Sequence, residues 1–323
     1  MTTIEYYKEK HAAYPPCMGE ADLEVRKVRF LKHLATVYPS SKYGETAADF
    51  DKINDLVRHL YQVVPENGPG YAPIALDLER LDPAEALVFW LSGFPTPSNV
   101  MSPMTPNEST LGSRPVVATR LFGFNRDSDH PLKRSNMRVE GAEPRETRTT
   151  IRLMNGYNPP HPWFNFDETC LVDNDNDGWW EYVPDAPSGD SLAAPFVYLD
   201  AETYAATTKN TALLGTVFYP RDSRLAEIWG TAVPMLESFD LRHPDHARWH
   251  KPDSFQILCA GRDDRYGPPT SNPASGRLVI FPSGKTYDPA DLSRPPVDYA
   301  DEELDNLSSL GKSPFAKARD EAD

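Results

Sequence analysis

Between Asp22 and Val37 the apolar positions Leu23, Val28, Leu31, Leu34 and Val37 recur every three to five residues, with Glu24, Arg26, Lys27 and Lys32 between them. That spacing predicts a helix with one apolar face. A second helix is expected from Thr46, where Asp49 three residues on makes a capping-box-like pair. Its face reads Phe50, Ile53, Val57, Leu60 and Val64, and the Gly- and Pro-rich stretch 65–73 ends it. The third helix carries the clearest start signal. Asp82 can accept hydrogen bonds from orphan amides, Pro83 has no amide to leave unpaired, and Glu85 sits at the third helical position. Leu87–Leu91 is apolar all round, so this helix should be buried, and it should stop near Gly93. Upstream, Glu5–Tyr14 reads as the last turns of a longer helix that Pro15-Pro16 terminates. Residues 1–94 are therefore expected to form a helical stem.

Beyond residue 110 the pattern changes. Val116–Phe122, Thr149–Met154, Trp179–Val183, Phe196–Leu199, Phe255–Ala260 and Leu278–Phe281 are short β-branched and aromatic runs separated by Pro, Gly, Asn and Asp clusters. They predict an α+β protein whose head, residues 95–323, is a mostly antiparallel sheet with long insertions. The tail Lys312–Asp323 is polar, and no repeat period stands out.

Composition narrows the function classes. The 323 residues carry 33 Lys+Arg against 48 Asp+Glu, a formal charge of −15. Phosphate contacts need a basic surface, so nucleic acid is not an expected partner. The longest clean apolar run is Ala86–Leu91, far short of the ~20 residues of a spanning helix. Met1–Tyr7 has neither the basic start nor the apolar stretch of a secretory signal. Proline, 32 of 323 residues, is about twice the usual ~5% and implies many short turns. Three cysteines, Cys17, Cys170 and Cys259, are too few for a disulfide scaffold, and a Cys170–Cys259 bridge stays open.

The densest run of oxygen donors is Asp173-Asn174-Asp175-Asn176-Asp177-Gly178. Carboxylates at alternate positions of a turning loop can all face one hard cation, the glycine permits the turn, and Glu181 would be a ninth-position ligand. An EF-hand is excluded because Pro184 holds position twelve. A solvated Asp/Asn turn between strands explains the same letters. Gly189-Asp190-Ser191-Leu192 spells an esterase nucleophile block, for which Asp240 and His243 could complete a triad. It lies mid-chain after Pro184–Ser188, however, whereas such a block should follow a buried strand near the start of an α/β domain. His243, His246 and His250 invite a metal site, but Pro244 denies them a shared helical face, and the segment reads as a polar surface loop.

Five segments in order resemble a pseudopilin-like family of planctomycete-type bacteria, related to the major pseudopilin of type II secretion. They are Tyr7–Pro16, Leu81–Phe94, Asp175–Tyr182 with Phe196–Asp200, Ser254–Gly261 with Asp263 and Asp264, and Asp301–Leu307. The resemblance implies a pilin-like fold: a long N-terminal helix anchored in the inner membrane, and a periplasmic or surface-facing head on an antiparallel sheet. The family's prepilin leader and apolar helix are not in this sequence. It further implies a non-enzymatic structural subunit whose partners are other pseudopilin subunits and the secretion machinery. The related major pseudopilin has a C-terminal calcium site; matching positions here are Asp263 or Asp264 with Glu302 and Asp305. Two other readings stand beside this one, a secreted serine hydrolase using Ser191 and His243, and a calcium-dependent surface-binding module using exposed aromatics.

Overall fold

The computed structural model describes residues 2–37, 46–60, 62–63, 74–92, 163–164, 166–185, 192–208, 216–240, 242–243, 246–271, 277–289, 291, 294–300 and 306–309. The strands expected at Val116–Phe122 and Thr149–Met154 lie outside these residues. Contacts divide the chain into two units, each assembled from separate stretches. The first is Met1–Pro15, Glu24–Leu81 and Val88–Trp180; the second is Pro16–Leu23, Asp82–Leu87 and Glu181–Asp323.

In the first unit, α1 (Thr3–His11) begins with a full capping box. The Thr2 hydroxyl accepts from the Glu5 amide at 3.3 Å, and the Glu5 carboxylate accepts from the Thr2 amide at 3.0 Å. Its end is set by left-handed Ala12 (φ 57°), before the two prolines. Helix α2 (Leu23–Val37) falls where its periodicity predicts, and α3 (Ala47–Leu60) starts as expected but stops short of the Val64 assigned to its face, because Gln62–Val63 is the strand β1, paired antiparallel with β2 (Ile74–Ala75). Helix α4 (Glu85–Ser92), whose Glu85–Leu87 are counted with the second unit and whose Val88–Ser92 are counted with the first, is buried throughout Leu87–Leu91, as its all-apolar surface requires.

The face of α2 differs from the expectation. Val28 is 41% exposed, as is Val25 at 44%, whereas Arg26 and Lys27 are buried beside Phe30, Leu31, Leu34 and Val37. The cause is ionic. Lys27 Nζ lies 2.7 Å from Asp51, 3.0 Å from Glu79 and 3.5 Å from Glu24, and this set of partners holds its pKa above the ordinary lysine value. Arg58 continues the network to Asp77 at 2.6 Å, and Arg26 donates to the Glu79 carbonyl at 3.1 Å. Beneath it the Phe30 ring meets Phe50 and Trp90, each at 5.3 Å between centroids. The Tyr7 hydroxyl bonds His33 Nε2 at 2.9 Å, and the Tyr7 ring packs edge-on to Trp163 at 5.1 Å. The strand β3 (Leu171–Val172) follows a single 3₁₀ turn, Glu168–Cys170.

The second unit holds β4 (Glu181–Tyr182), β5 (Val197–Asp200), α5 (Ala201–Thr208), α6 (Ser223–Trp229), β6 (Met235–Ser238), β7 (Arg248–Trp249), β8 (Phe255–Cys259), β9 (Leu278–Ile280), β10 (Lys285–Tyr287), β11 (Val297–Asp298) and β12 (Leu307–Ser308). Two sheets form its frame. One runs β12-β8-β5, all antiparallel, with Tyr198 opposite Ile257 and Leu307 opposite Cys259. The other runs β11-β10-β9-β6-β7, antiparallel except for its β6–β9 pair, so the single, mostly antiparallel sheet expected is two sheets, one of them mixed. Gln256, on β8 and fully buried, ties them together. Its amide oxygen accepts from Met235 N at 2.7 Å, and its amide nitrogen donates to the Met235 and His250 carbonyls at 3.0 and 2.9 Å. All three cysteines are buried free thiols, so Cys170 and Cys259 are not bridged. The protein is thus α+β.

Candidate functional site: an acidic loop and its neighbours

The loop Asp173–Gly178 is built by its own side chains. Asp173 Oδ1 accepts from the Asp177 amide at 3.1 Å and Oδ2 from the Gly178 amide at 3.1 Å. Asp175 Oδ1 also accepts from the Asp177 amide, at 3.2 Å, and Asp177 Oδ1 accepts from the Trp179 amide at 2.9 Å. Short acidic side chains bonding to amides a few residues on replace the missing secondary structure. The reversal uses left-handed backbone at Asn176 (φ 61°) and Gly178 (φ 96°), which asparagine and glycine tolerate best. Trp179 pins the exit: it is 2% exposed, its Nε1–H donates to the Asp77 carbonyl at 2.8 Å, and its ring packs edge-on to Phe89 at 5.5 Å.

Three carboxylates converge in this loop, and Asp177 is only 2% exposed. Burial, then repulsion from Asp177 and Asp175, pushes the Asp173 carboxyl up to about 8, against the pull of the Gly178 and Asp177 amides. The loop therefore concentrates negative charge where water screens it poorly, a setting that a hard cation relieves.

The other sequence-predicted residues belong to the second unit. Glu181 opens β4 in the second unit, 1% exposed, and its carboxylate accepts a very short hydrogen bond from the Tyr219 hydroxyl. Asp263 is exposed and caps its own turn, accepting from Arg265 N at 2.9 Å. Asp264, also exposed, adopts φ 56° and accepts from Ala194 N at 3.4 Å. Glu302 and Asp305 lie outside the described residues, as does Ser191. His243 is exposed, and its ring stacks on His246 with centroids 5.1 Å apart. His250 is not part of that pair, since its Nε2 bonds the Phe281 carbonyl at 2.6 Å.

Sequence reasoning did not anticipate the polar interior of the second unit. Asp200 ends β5 and caps α5, accepting from Thr203 N at 3.0 Å, from the Thr203 hydroxyl at 2.6 Å and from Cys17 N at 2.8 Å. Arg221 donates to the Met18 and Glu20 carbonyls at 3.1 and 2.6 Å, with burial lowering its pKa. The Asp200-Ala-Glu-Thr203 letters are an N-cap signal, but nothing local announces their distant partners. Among the described residues no helix is long and apolar enough to cross a membrane.

The chain matches no family model, no curated protein and no solved structure.

Proposed function

We propose that this chain is the head of a pseudopilin-like, non-enzymatic structural subunit whose Asp173–Gly178 loop is organised by calcium. The observation that carries the reading is that loop: three carboxylates held on one short turn, one of them carrying a raised pKa, anchored by the buried Trp179. The α+β architecture supports it. So does the position of the resembling segments, which supply the buried helix α4, the buried Trp179 and the paired strands β5 and β8. In this reading the head contributes subunit contacts to a periplasmic or surface filament. An apolar helix N-terminal to the stem supplies the spine and the inner-membrane anchor, and secretion machinery supplies the setting. Calcium neutralises part of the −15 charge and so eases the packing of like-charged copies. Asp173, Asp175 and Asp177 are the proposed ligands; a second ion at Asp263 or Asp264 with Glu302 and Asp305 remains part of the proposal.

Terbium, which takes calcium sites, tests the loop directly because Trp179 lies at its exit. Tryptophan-sensitised terbium emission that calcium displaces, and that Asp175→Asn weakens, is the expected result. Emission unchanged by Asp175→Asn would move the ion away from this loop.

A further inference from the structure

We propose that Asn306 binds one structural water molecule in the cavity between the two sheets of the second unit, and that this water completes the clasp holding β12. The site shares no residue with the acidic loop and does not rest on the reading above. The cavity measures about 10 Å³. Its wall takes Met235 and Val279 from one sheet and Leu258 from the other, with Thr231, Arg277 and Asn306 as polar members. A volume of that order suits one water and no larger ligand.

Asn306 carries the inference. It is 4% exposed, and its Nδ2 donates to the Tyr266 carbonyl at 3.1 Å, which fixes how the carboxamide is turned. Its Oδ1 is buried and accepts no hydrogen bond among the described residues. A buried carboxamide oxygen left that way costs the full desolvation of the group, so such atoms in native proteins nearly always have a partner. Arg277 decides what the partner is. Its Nη2 donates to the Thr231 and Tyr266 carbonyls, both at 2.8 Å, and Gly267 makes room for it, since a Cβ there would stand 2.3 Å from the same nitrogen. The fixed guanidinium charge repels a cation, and the Asn306 oxygen repels an anion. A water satisfies both, donating one hydrogen to Oδ1 and turning its lone pairs towards the guanidinium.

The consequence falls on β12. Its two residues pair with β8, and Ser309 N donates to the Ile257 carbonyl at 2.9 Å. So short a strand is weakly held by its ladder alone, and Asn306, next to it in the chain, ties it across to Tyr266. Without the water Asn306 keeps one bond and an unsatisfied oxygen, and β12 becomes the first part of its sheet to open.

The test uses the whole chain in plain buffer. Oxygen-17 relaxation dispersion should count one more slowly exchanging water in the parent than in Asn306→Leu, and a high-resolution crystal structure of the parent should show it within hydrogen-bond reach of Oδ1. Hydrogen exchange at the Ser309 amide should quicken about tenfold in the variant. Val279→Ile separates hydration from loss of the Tyr266 bond, because the added carbon takes the water's space and leaves Asn306 in place. A hydrated cavity predicts a lower Tm and faster Ser309 exchange in Val279→Ile, whereas filling a dry cavity raises the Tm. Equal water counts in parent and Asn306→Leu, no density beside Oδ1 in the parent, or a raised Tm in Val279→Ile would overturn the proposal.

Discussion

Calcium should stabilise the folded chain by an amount that can be worked out in advance. Extracellular-type calcium sites bind with Kd of roughly 10⁻⁴–10⁻³ M. At about 5 mM free calcium the linkage expression RT ln(1 + [L]/Kd) then gives about 1–2 kcal/mol. For a cooperative unit of 150–250 residues that corresponds to a rise in Tm of ~2–8 °C. The perturbation is Asp175→Asn. Asp175 is half-buried, unlike buried Asp177, and asparagine keeps an oxygen to accept the Asp177 amide, so the turn survives while a charge is lost. A tenfold weaker site would respond by less than about 1 kcal/mol at the same calcium. The assay is a thermal melt in EDTA, in calcium, and in sodium chloride of matched ionic strength. The reasoning is refuted if sodium chloride gives the same shift as calcium, or if Asp175→Asn responds like the parent.

Other outcomes follow from the first unit. Lys27→Met should destabilise the chain by about 1–3 kcal/mol. Breaking a buried ion pair can cost ~3–5 kcal/mol, but Asp51 and Glu79, 50% and 28% exposed, regain water. A double-mutant cycle in urea with Glu79→Gln should show coupling, and simple additivity would contradict the network. Burial, with Lys10 adding repulsion, lowers the His11 pKa from 6.5 to about 4. A base whose folded pKa is depressed binds more protons when unfolded, so this contribution is complete above pH 6.5 and fades as pH falls towards 4. Discounted for partial exposure, it is about 1–2 kcal/mol. Urea midpoints between pH 4 and 7 should therefore flatten in His11→Phe, and an unchanged slope would show that His11 is not the group responsible.

How much of this was legible in the sequence depended on range. Helices α2 and α3 were readable because several turns repeat the same period, and α4 because Asp82, Pro83 and Glu85 mark its start. The Asp82 carboxylate does accept from the amides of Ala84 and Glu85, at 2.9 and 3.2 Å. Helices α5 and α6, of 8 and 7 residues, are too short for a period to emerge. Only their caps, Asp200 and Asp222, were there to be seen. The buried face of α2 was misread because Lys27 and Arg26 count as polar until their partners on α3 and at Glu79 are known. The parallel β6–β9 pairing joins register partners Met235 and Val279, 44 residues apart, and no local letter specifies that. At the acidic loop the alternating aspartates and Gly178 were legible, since side chain and turn are one local unit. The His243–His246 pair was read as part of a polar surface loop because Pro244 forbids a helix, and both rings are exposed and stacked on one another.

The measurement that bears most directly on the structural-subunit reading is the mature N-terminus of the protein made by its native cells, by intact mass and N-terminal sequencing. A pseudopilin head predicts a processed, methylated Phe-type residue followed by ~20 apolar residues leading into α1. A mature chain whose first residue is Met1 would contradict membrane anchoring and filament assembly, leaving a metal-responsive binding role in their place.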